Sequence, residues 1–142
     1  MARVTVGHEL QSEIQDFYAR QQHAIDGGRY AEFAETLTED CQFTPVKNQP
    51  TAYGRQAIAQ QLTDFAASLV GAQDRRRHWM SMNVIDEVEP DVYEVVSYSL
   101  VTSTRIGEPP ILHWAGDIAD RLVRVDGALK VQRREVRSDS IA

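Results

Sequence analysis

The chain has 142 residues, 42% of them hydrophobic and 25% charged, which is the size and composition of one ordinary globular domain. A chain of this length buries enough surface for a core without disulfide or metal staples, and its composition excludes a disordered protein. The formal net charge of −6 argues against a nucleic-acid partner, because phosphate backbones are bound by clustered Lys and Arg.

Apolar residues recur at helical spacing in three stretches, which predict three helices in the first half of the chain. The first helix runs from about Glu9 to Ile25 and is stopped by Gly27-Gly28, a pair that can take a left-handed turn. The second runs from about Arg29 to Leu37, and the third opens at Gly54 and ends at Gly71. Each helix has one apolar face, which is expected to cover a core.

The second half of the chain changes to a period of two, which is typical of strands. A short strand, Cys41 to Thr44, precedes this region, and longer strands are predicted at His78–Val88, Val92–Thr104, Ile111–Val125 and Leu129–Arg137. Asp126-Gly127 is a two-residue hairpin signal, and turns containing Pro or Gly separate the other strands. Consecutive long strands with such links form an antiparallel meander.

These elements predict an α+β fold in which three N-terminal helices pack on a strongly curved antiparallel sheet, giving a cone-shaped barrel. A cone of this kind encloses a pocket. No internal repeat or linker is visible, so residues 1–142 are expected to form a single domain. The N-terminus shows no leader pattern and the chain has no run of 18 apolar residues, so a cytoplasmic protein without a membrane partner is expected.

Strand alternation predicts which side chains face the pocket. With His78 inward, Met80 follows on the same face, as does Met82 unless a bulge intervenes. The inward sets on the next two strands are expected to be Val96, Tyr98, Leu100 and Thr102, and then Leu112, Trp114, Gly116, Ile118 and Leu122. The opposite, outer face would carry Tyr93, Val95, Val101, His113 and Ala115.

Several reactive or aromatic side chains have a structural explanation beside a functional one. Cys41 is the one cysteine and is expected to be a small buried side chain rather than a nucleophile. Phe17 and Tyr18 lie near the core face of the first helix, where they either pack in the core or form a pocket wall. Asp120 is expected to join a charge network with Arg121 and Arg124, and a second catalytic acid is the alternative.

Other polar residues predict no further chemistry. The basic run Arg75-Arg76-Arg77 follows Asp74 and is interpreted as a solvated strand entrance. No His or carboxylate pair has clear metal-ligand spacing, and no glycine-rich phosphate loop follows a strand. Neither a metal nor a cofactor is therefore expected.

The order of elements and five local strings resemble the SnoaL-like family within the nuclear-transport-factor-2-like superfold. The strings are Ile25-Asp26-Gly27-Gly28-Arg29-Tyr30, Leu37-Thr38-Glu39-Asp40, Gly54-Arg55-Gln56-Ala57-Ile58, Arg77-His78-Trp79-Met80 and Asp120-Arg121-Leu122-Val123-Arg124. The resemblance covers essentially the whole chain. It is specific for the fold and poor for activity, because the superfold hosts both enzymes and non-catalytic subunits.

The resemblance extends to scytalone dehydratase and to dehydratase/cyclases of aromatic polyketide pathways. In that pattern an aspartate after the first helix pairs with a histidine at the start of the first long strand, and Asp26 and His78 occupy those positions. The dehydratase's pocket tyrosines do not carry over, since Ile25 and Pro45 replace them. Its pocket serine and asparagine align with Gly116 and Ile118.

The leading hypothesis is a cofactor-free dehydratase or cyclase that acts on an aromatic polyketide-type molecule. Asp26 and His78 would supply general acid–base catalysis, with Tyr18, Met80, Tyr98, Thr102 and Trp114 as the pocket wall. The alternatives are a non-catalytic small subunit of an aromatic-ring-hydroxylating dioxygenase and a ketosteroid-isomerase-like isomerase. The resemblance also implies a homodimer that associates through the outer face of the sheet.

Overall fold

The computed structural model describes residues 6–46 and 49–140, over which the chain forms an α+β fold. The helices are α1 (His8–Asp26), α2 (Tyr30–Glu35) and α3 (Arg55–Gly71). The strands are β1 (Leu37–Thr44), β2 (Ala52–Tyr53), β3 (Asp74–Glu89), β4 (Val92–Arg105), β5 (Ile111–Val125) and β6 (Ala128–Ser138). The predicted fold class is confirmed, and the four long strands are those predicted from the period of two.

The described strands form one sheet in the order β2-β1-β6-β5-β4-β3, so β3 lies at an edge. The meander from β3 to β6 is antiparallel as predicted, but β1 pairs with β6 in parallel, which makes the sheet mixed. The predicted second helix is too long, since α2 ends at Glu35 and Leu37 opens β1. Leu37 is buried opposite Val131, and this non-local pairing overrides its helical spacing.

The helices contribute unequally to the core. From α1 the core takes Ile14, Tyr18, Gln21, Gln22 and Ala24, and from α3, among the described residues, Ile58 alone. The second half of α3 instead presents half-exposed apolar side chains toward a cavity. Cys41 is buried in β1 as expected, and burial raises the pKa of its thiol to about 11, so the side chain stays protonated at neutral pH.

The predicted faces of β4 are reversed. Tyr93, Val95 and Val101 are buried, whereas Tyr98 is 65% exposed on the outer face of the sheet. The inner face also carries Ser97, Ser99 and Ser103, whose small polar side chains give no hydrophobic signal in the sequence. Two of these hydroxyls donate hydrogen bonds inside the fold, from Ser97 to Asn83 (2.6 Å) and from Ser103 to Asp74 (2.5 Å), so their burial is satisfied.

Two irregularities in the strand pairing change which side chains face inward. The β3–β4 register shifts between Ser81 and Val84, where Met82 has a φ of 59° and is 70% exposed, so Met82 leaves the inner face. The β4–β5 register shifts beside His113, between the pairs Val101–Trp114 and Thr102–Leu112. A bulge redirects the side chains of its strand, and these two positions depart from simple alternation for that reason.

Candidate functional site

Asp26 and His78 lie in direct contact. Oδ1 of Asp26 is 2.6 Å from Nδ1 of the His78 ring, and Oδ2 accepts a 3.0 Å hydrogen bond from the backbone N–H of His78. Asp26 is the last residue of α1, and His78 lies on the edge strand β3, whose outward N–H groups have no neighbouring strand to bond. The carboxylate therefore fixes the ring and its backbone together.

The glycines after α1 hold the Asp26 carboxylate at the edge of the sheet. Gly28 has a φ of +76°, a conformation that other residues rarely adopt, and the next residue, Arg29, donates its N–H to the carbonyl of Ala24 at 2.8 Å. The chain turns sharply here and leaves Asp26 facing β3. Its side chain is 15% exposed and that of His78 is 32% exposed, so the pair is shielded while the imidazole remains reachable.

His78 lies in the wall of a cavity of about 440 Å³ between the helices and the inner face of the sheet. Most of the wall is apolar and includes Ile25, Phe33, Phe43, Leu62, Phe65, Ile118 and Val136. The polar lining comes from eight residues: Gln22, Gln49, Gln61, Arg76, His78, Ser99, His113 and Arg134. A wall that is mostly apolar with a minority of polar groups is typical of a site that binds a small organic molecule. Because Asp26 engages Nδ1, Nε2 is the ring nitrogen left for such a molecule.

A buried network of polar side chains supports one side of the cavity. Both oxygens of Asp120 accept hydrogen bonds from Arg134 at 2.8 Å, and Oδ2 also accepts one from the Tyr18 hydroxyl at 2.9 Å. Arg134 donates further to Gln21 at 2.7 Å. Asp120 therefore belongs to a charge network as predicted, but its partner is Arg134 on β6 rather than Arg121 or Arg124.

The network has a defined ionisation state. Burial raises the pKa of Tyr18 well above its usual range, and the charge of Asp120 acts in the same direction, so the phenol remains protonated. Burial by itself would lower the pKa of Arg134, but the paired Asp120 charge outweighs it and the pKa is raised. The Tyr18 phenol and the Arg134 guanidinium therefore both stay protonated beside the Asp120 carboxyl group.

The predicted pocket residues have different positions. Trp114 lines the cavity as predicted, and Met80 packs against the core with its sulfur 3.7 Å from Nε2 of Gln22. Tyr18 is 1% exposed and bonded to Asp120, so it supports the site from below. The prediction that Tyr98 and Thr102 face inward is wrong: both lie on the outer face of β4, where the Thr102 hydroxyl accepts a 3.3 Å hydrogen bond from Trp79.

The Trp114 ring explains why residue 116 is a glycine. A Cβ built at this position would lie 2.6 Å from the Trp114 ring and 2.0 Å from the carbonyl oxygen of Arg137, so no side chain fits. The indole of Trp114 takes the space that a serine would need. Within the described part of the chain, the buried Nε1 of Trp114 has no hydrogen-bond partner.

Three cavity residues were missed from the sequence. His113 was expected to face outward, and the β4–β5 bulge accounts for its position in the cavity wall. Arg134 lies on β6 beyond a register shift between Arg121 and Leu122, which hides its inward position from simple alternation. Gln22 is a polar residue of α1, yet it is buried and lines the cavity. The one signal in the sequence that could have predicted this position is that Gln22 lies next to the apolar face of its helix.

Two features are absent from the described residues. No cluster of three or more His, Cys, Asp or Glu side chains in residues 6–46 and 49–140 has a geometry that could hold a metal ion. No helix within the same ranges is long and apolar enough to span a membrane.

Comparisons with known proteins agree on the fold. The model of the SnoaL-like domain family matches residues 8–135. The structure of ActVI-ORFA from Streptomyces coelicolor is 30% identical with a TM-score of 0.86, covering 94% of this chain and 99% of that chain. A structure from Catenulispora acidiphila in complex with S-DNPA is 33% identical with a TM-score of 0.84, covering 94% of this chain and 96% of that one.

A third structure extends the comparison to the dehydratases. A protein from Novosphingobium aromaticivorans, provisionally assigned as a scytalone dehydratase, is 28% identical with a TM-score of 0.75, covering 90% of this chain and 83% of that chain. No curated protein matches the sequence.

Proposed function

The chain belongs to the family of SnoaL-like domains, and from this membership and the Asp26–His78 contact we propose a cofactor-free dehydratase or cyclase for an aromatic polyketide-type molecule. The observation that carries the proposal is the 2.6 Å contact between the carboxylate and a histidine that also lines an apolar cavity. A carboxylate–imidazole pair with one free ring nitrogen is sufficient to act as the general base that removes a proton from the carbon next to a carbonyl.

In this mechanism Nε2 of His78 removes the proton from the carbon next to a substrate carbonyl. Asp26 holds the opposite ring nitrogen and stabilises the imidazolium that forms. The enolate then expels its β-hydroxyl group, which takes the proton back from His78 and leaves as water. For ring closure, the same enolate attacks a second carbonyl of the substrate, and the proton returns to the new alkoxide.

The shape of the wall and two related structures support an aromatic or otherwise flat substrate. The indole of Trp114 and the rings of Phe33, Phe43 and Phe65 supply flat apolar surface around the cavity. One related structure has S-DNPA bound, and another carries the provisional assignment as a scytalone dehydratase. Gly116 and Ile118 replace the polar pocket residues of scytalone dehydratase, so the part of the substrate that lies beside these two positions is proposed to be more apolar.

The proposal is tested by proton abstraction from a generic ketone. The chain is incubated with 2-tetralone in D₂O, and the loss of the proton signal next to the carbonyl is followed by NMR. We expect exchange above the buffer rate, with a fall of about 100-fold or more in His78→Ala, since a positioned general base contributes 10²–10⁴-fold. Asp26→Asn should lower the rate less, because it leaves the imidazole in place.

Two further histidine variants serve as controls. His8→Ala changes an exposed residue at the start of α1 and should exchange at the parental rate. His113→Ala removes the second imidazole in the cavity wall, so a larger loss there than in His78→Ala would transfer the base role to His113. Exchange at the buffer rate in the parental chain would contradict the enzyme and favour the non-catalytic alternative.

We also propose that two copies associate through the outer face of the sheet. Supporting this, Val96, Tyr98 and Leu100 of β4 and Leu112 of β5 are all exposed apolar residues on that part of the surface. The residues first expected there, Tyr93, Val95 and Val101, are buried, so the surface differs from the predicted one. Contiguous apolar surface of this kind marks protein contacts.

A further inference from the structure

A second cavity, of about 640 Å³, lies outside the apolar one and shares His78 with it. It runs between the C-terminal end of α1 and the edge strand β3. Basic side chains dominate its lining, with His23, Arg29, Arg75 and Arg77 on its two sides. We call these four residues the arginine groove.

The arginine groove has a surplus of positive charge in an acidic chain. Overall the chain has 21 acidic against 15 basic residues, yet the one carboxylate lining the groove is Asp26, which His78 engages. Arg29 pairs with Glu32 at 2.8 Å, whereas Arg75 and Arg77 form no ion pair with any described residue. Two cations placed together without counter-charge repel each other, and a bound anion would relieve that repulsion.

Arg76, which lies between Arg75 and Arg77, has a different environment from its two neighbours. Arg76 points to the inner side, where it bonds Asp74 at 3.0 Å and lies over the Phe65 ring, with 5.8 Å from its guanidinium carbon to the ring centroid. Its neighbours Arg75 and Arg77 alternate to the outer side and are exposed. The run of three arginines thus divides into Arg76, which lines both cavities and is paired with Asp74, and two exposed outer members that line the groove without an ion pair among the described residues.

The turn after α1 is also fitted to the groove. A Cβ at Gly27 would lie 2.5 Å from Nη1 of Arg29, so the absence of a side chain at Gly27 lets the guanidinium lie over the turn. Arg29 and Asp26 both line the groove. A fork of guanidinium donors on both sides matches a carboxylate or a phosphate.

We infer that the arginine groove binds an anionic group, a carboxylate or a phosphate, on the same substrate whose apolar part occupies the cavity. His78 lines both spaces, so a ligand that extends from one to the other passes the reacting imidazole. The inference rests on the proposed function for the use of the apolar cavity. It adds that the substrate is an amphiphilic anion and that its charged end sets its orientation at His78.

The test uses three ligands that share one apolar part: 4-phenylbutan-1-ol, 4-phenylbutanoate and 4-phenylbutyl phosphate. The chain has two tryptophans, of which Trp114 lines the cavity and Trp79 is 56% exposed. In a Trp79→Phe background, quenching of fluorescence therefore reports ligand at the cavity. The two anions should bind about fivefold more tightly than the alcohol, as expected for two solvent-exposed charge contacts.

Three charge variants identify the source of that preference. Arg75→Gln/Arg77→Gln should reduce affinity for the anions to that for the alcohol, and Arg75→Lys/Arg77→Lys should keep most of the preference. Arg133→Gln/Arg137→Gln removes the same charge from exposed positions on β6 and should change nothing. A stronger response to the phosphate or to the carboxylate supports the inference equally and identifies which anion the substrate carries.

Equal affinity of all three ligands in the parental chain would overturn the arginine groove while leaving the cavity and its chemistry intact. An equal loss of anion binding in the β6 control would also overturn it, because the effect would then come from net charge. If none of the three ligands binds, the apolar cavity fails as a binding site, and both the groove and the proposed function are contradicted.

Discussion

Asp120 and Arg134 form the most deeply buried ion pair among the described residues, with side-chain exposures of 0% and 6%. Removing charges from water costs several kcal/mol each, and here the cost is offset because every oxygen of Asp120 accepts a hydrogen bond. The pair holds α1, β5 and β6 together below the cavity. Its function is to position the wall, which explains why Asp120 is unavailable as a second catalytic acid.

Asp120→Ala should strongly destabilise the fold because it leaves the Arg134 charge buried without its partner. We expect the free energy of unfolding to fall by about 3–5 kcal/mol, measured by urea denaturation. Asp117→Ala is the matched control, since it breaks the half-exposed pair with Arg137 and should cost about 0.2–1 kcal/mol. Similar losses in the two variants would show that the buried pair contributes no more than a surface pair.

At the scale of elements, α3 is the least anchored helix. It runs for 17 residues, yet Ile58 is its one buried residue within the described chain, whereas the 19-residue α1 buries five. Leu62 and Phe65 face the cavity, so the second half of α3 forms a wall with empty space behind it. Elements with few buried contacts open locally at lower free energy than the core.

Amide hydrogen exchange should therefore be faster in residues 62–71 of α3 than in residues 14–24 of α1, by roughly an order of magnitude or more. Adding 4-phenylbutan-1-ol should slow exchange in α3 and leave α1 unchanged, because the ligand fills the space that α3 encloses. Mass spectrometry of peptides from the two helices measures both effects. Equal protection of the two segments would contradict the assignment of α3 as a weakly anchored wall.

The elements differ in how well the sequence predicts them, for physical reasons. The apolar stripe of α1 and the period of two in the four long strands are local signals. Both were sufficient to predict the elements in which they occur. The pairing of Leu37 with Val131 is not local, so the helix predicted to reach Leu37 ended too late. On β4, buried serines and exposed Tyr98 and Leu100 reversed the hydrophobic signal, and the faces were assigned the wrong way round.

The residues of the candidate site also divide into those that the sequence could predict and those that depend on the pairing of distant strands. The family resemblance predicted Asp26 and His78 as site residues, because their positions follow from the order of elements. The structure brings the two side chains into contact. His113 and Arg134 depend on register shifts in the sheet, which no pattern in one sequence specifies.

For the whole molecule, the outer face of the sheet is the surface that has no partner in a single chain. Tyr98 and Leu112 are 65% and 62% exposed there, and each lies beside further apolar residues. The proposed dimer would cover this face with the same face of a second copy, as a two-fold interface requires. The cavity opens on the other side of the sheet, so association would leave it accessible.

Tyr98→Glu should prevent this association, because it places a charge within the contact surface. We expect light scattering to give twice the 16.0 kDa chain mass for the parental protein and 16.0 kDa for the variant. Val70→Glu makes the same kind of change at the end of α3, where the side chain is 78% exposed, and should remain dimeric. A parental protein that is already monomeric would refute the proposed interface.

In the proposed site, Asp26 holds one ring nitrogen of His78 and the other ring nitrogen faces the cavity. A ¹⁵N–¹H NMR correlation of the histidine rings, with His78 assigned from His78→Ala, tests this arrangement directly. We expect the neutral ring to carry its proton on Nδ1, facing Asp26, and the Nε2 signal to shift when 4-phenylbutan-1-ol is added. A ring with its proton on Nε2, or an Nε2 signal indifferent to the ligand, would contradict it.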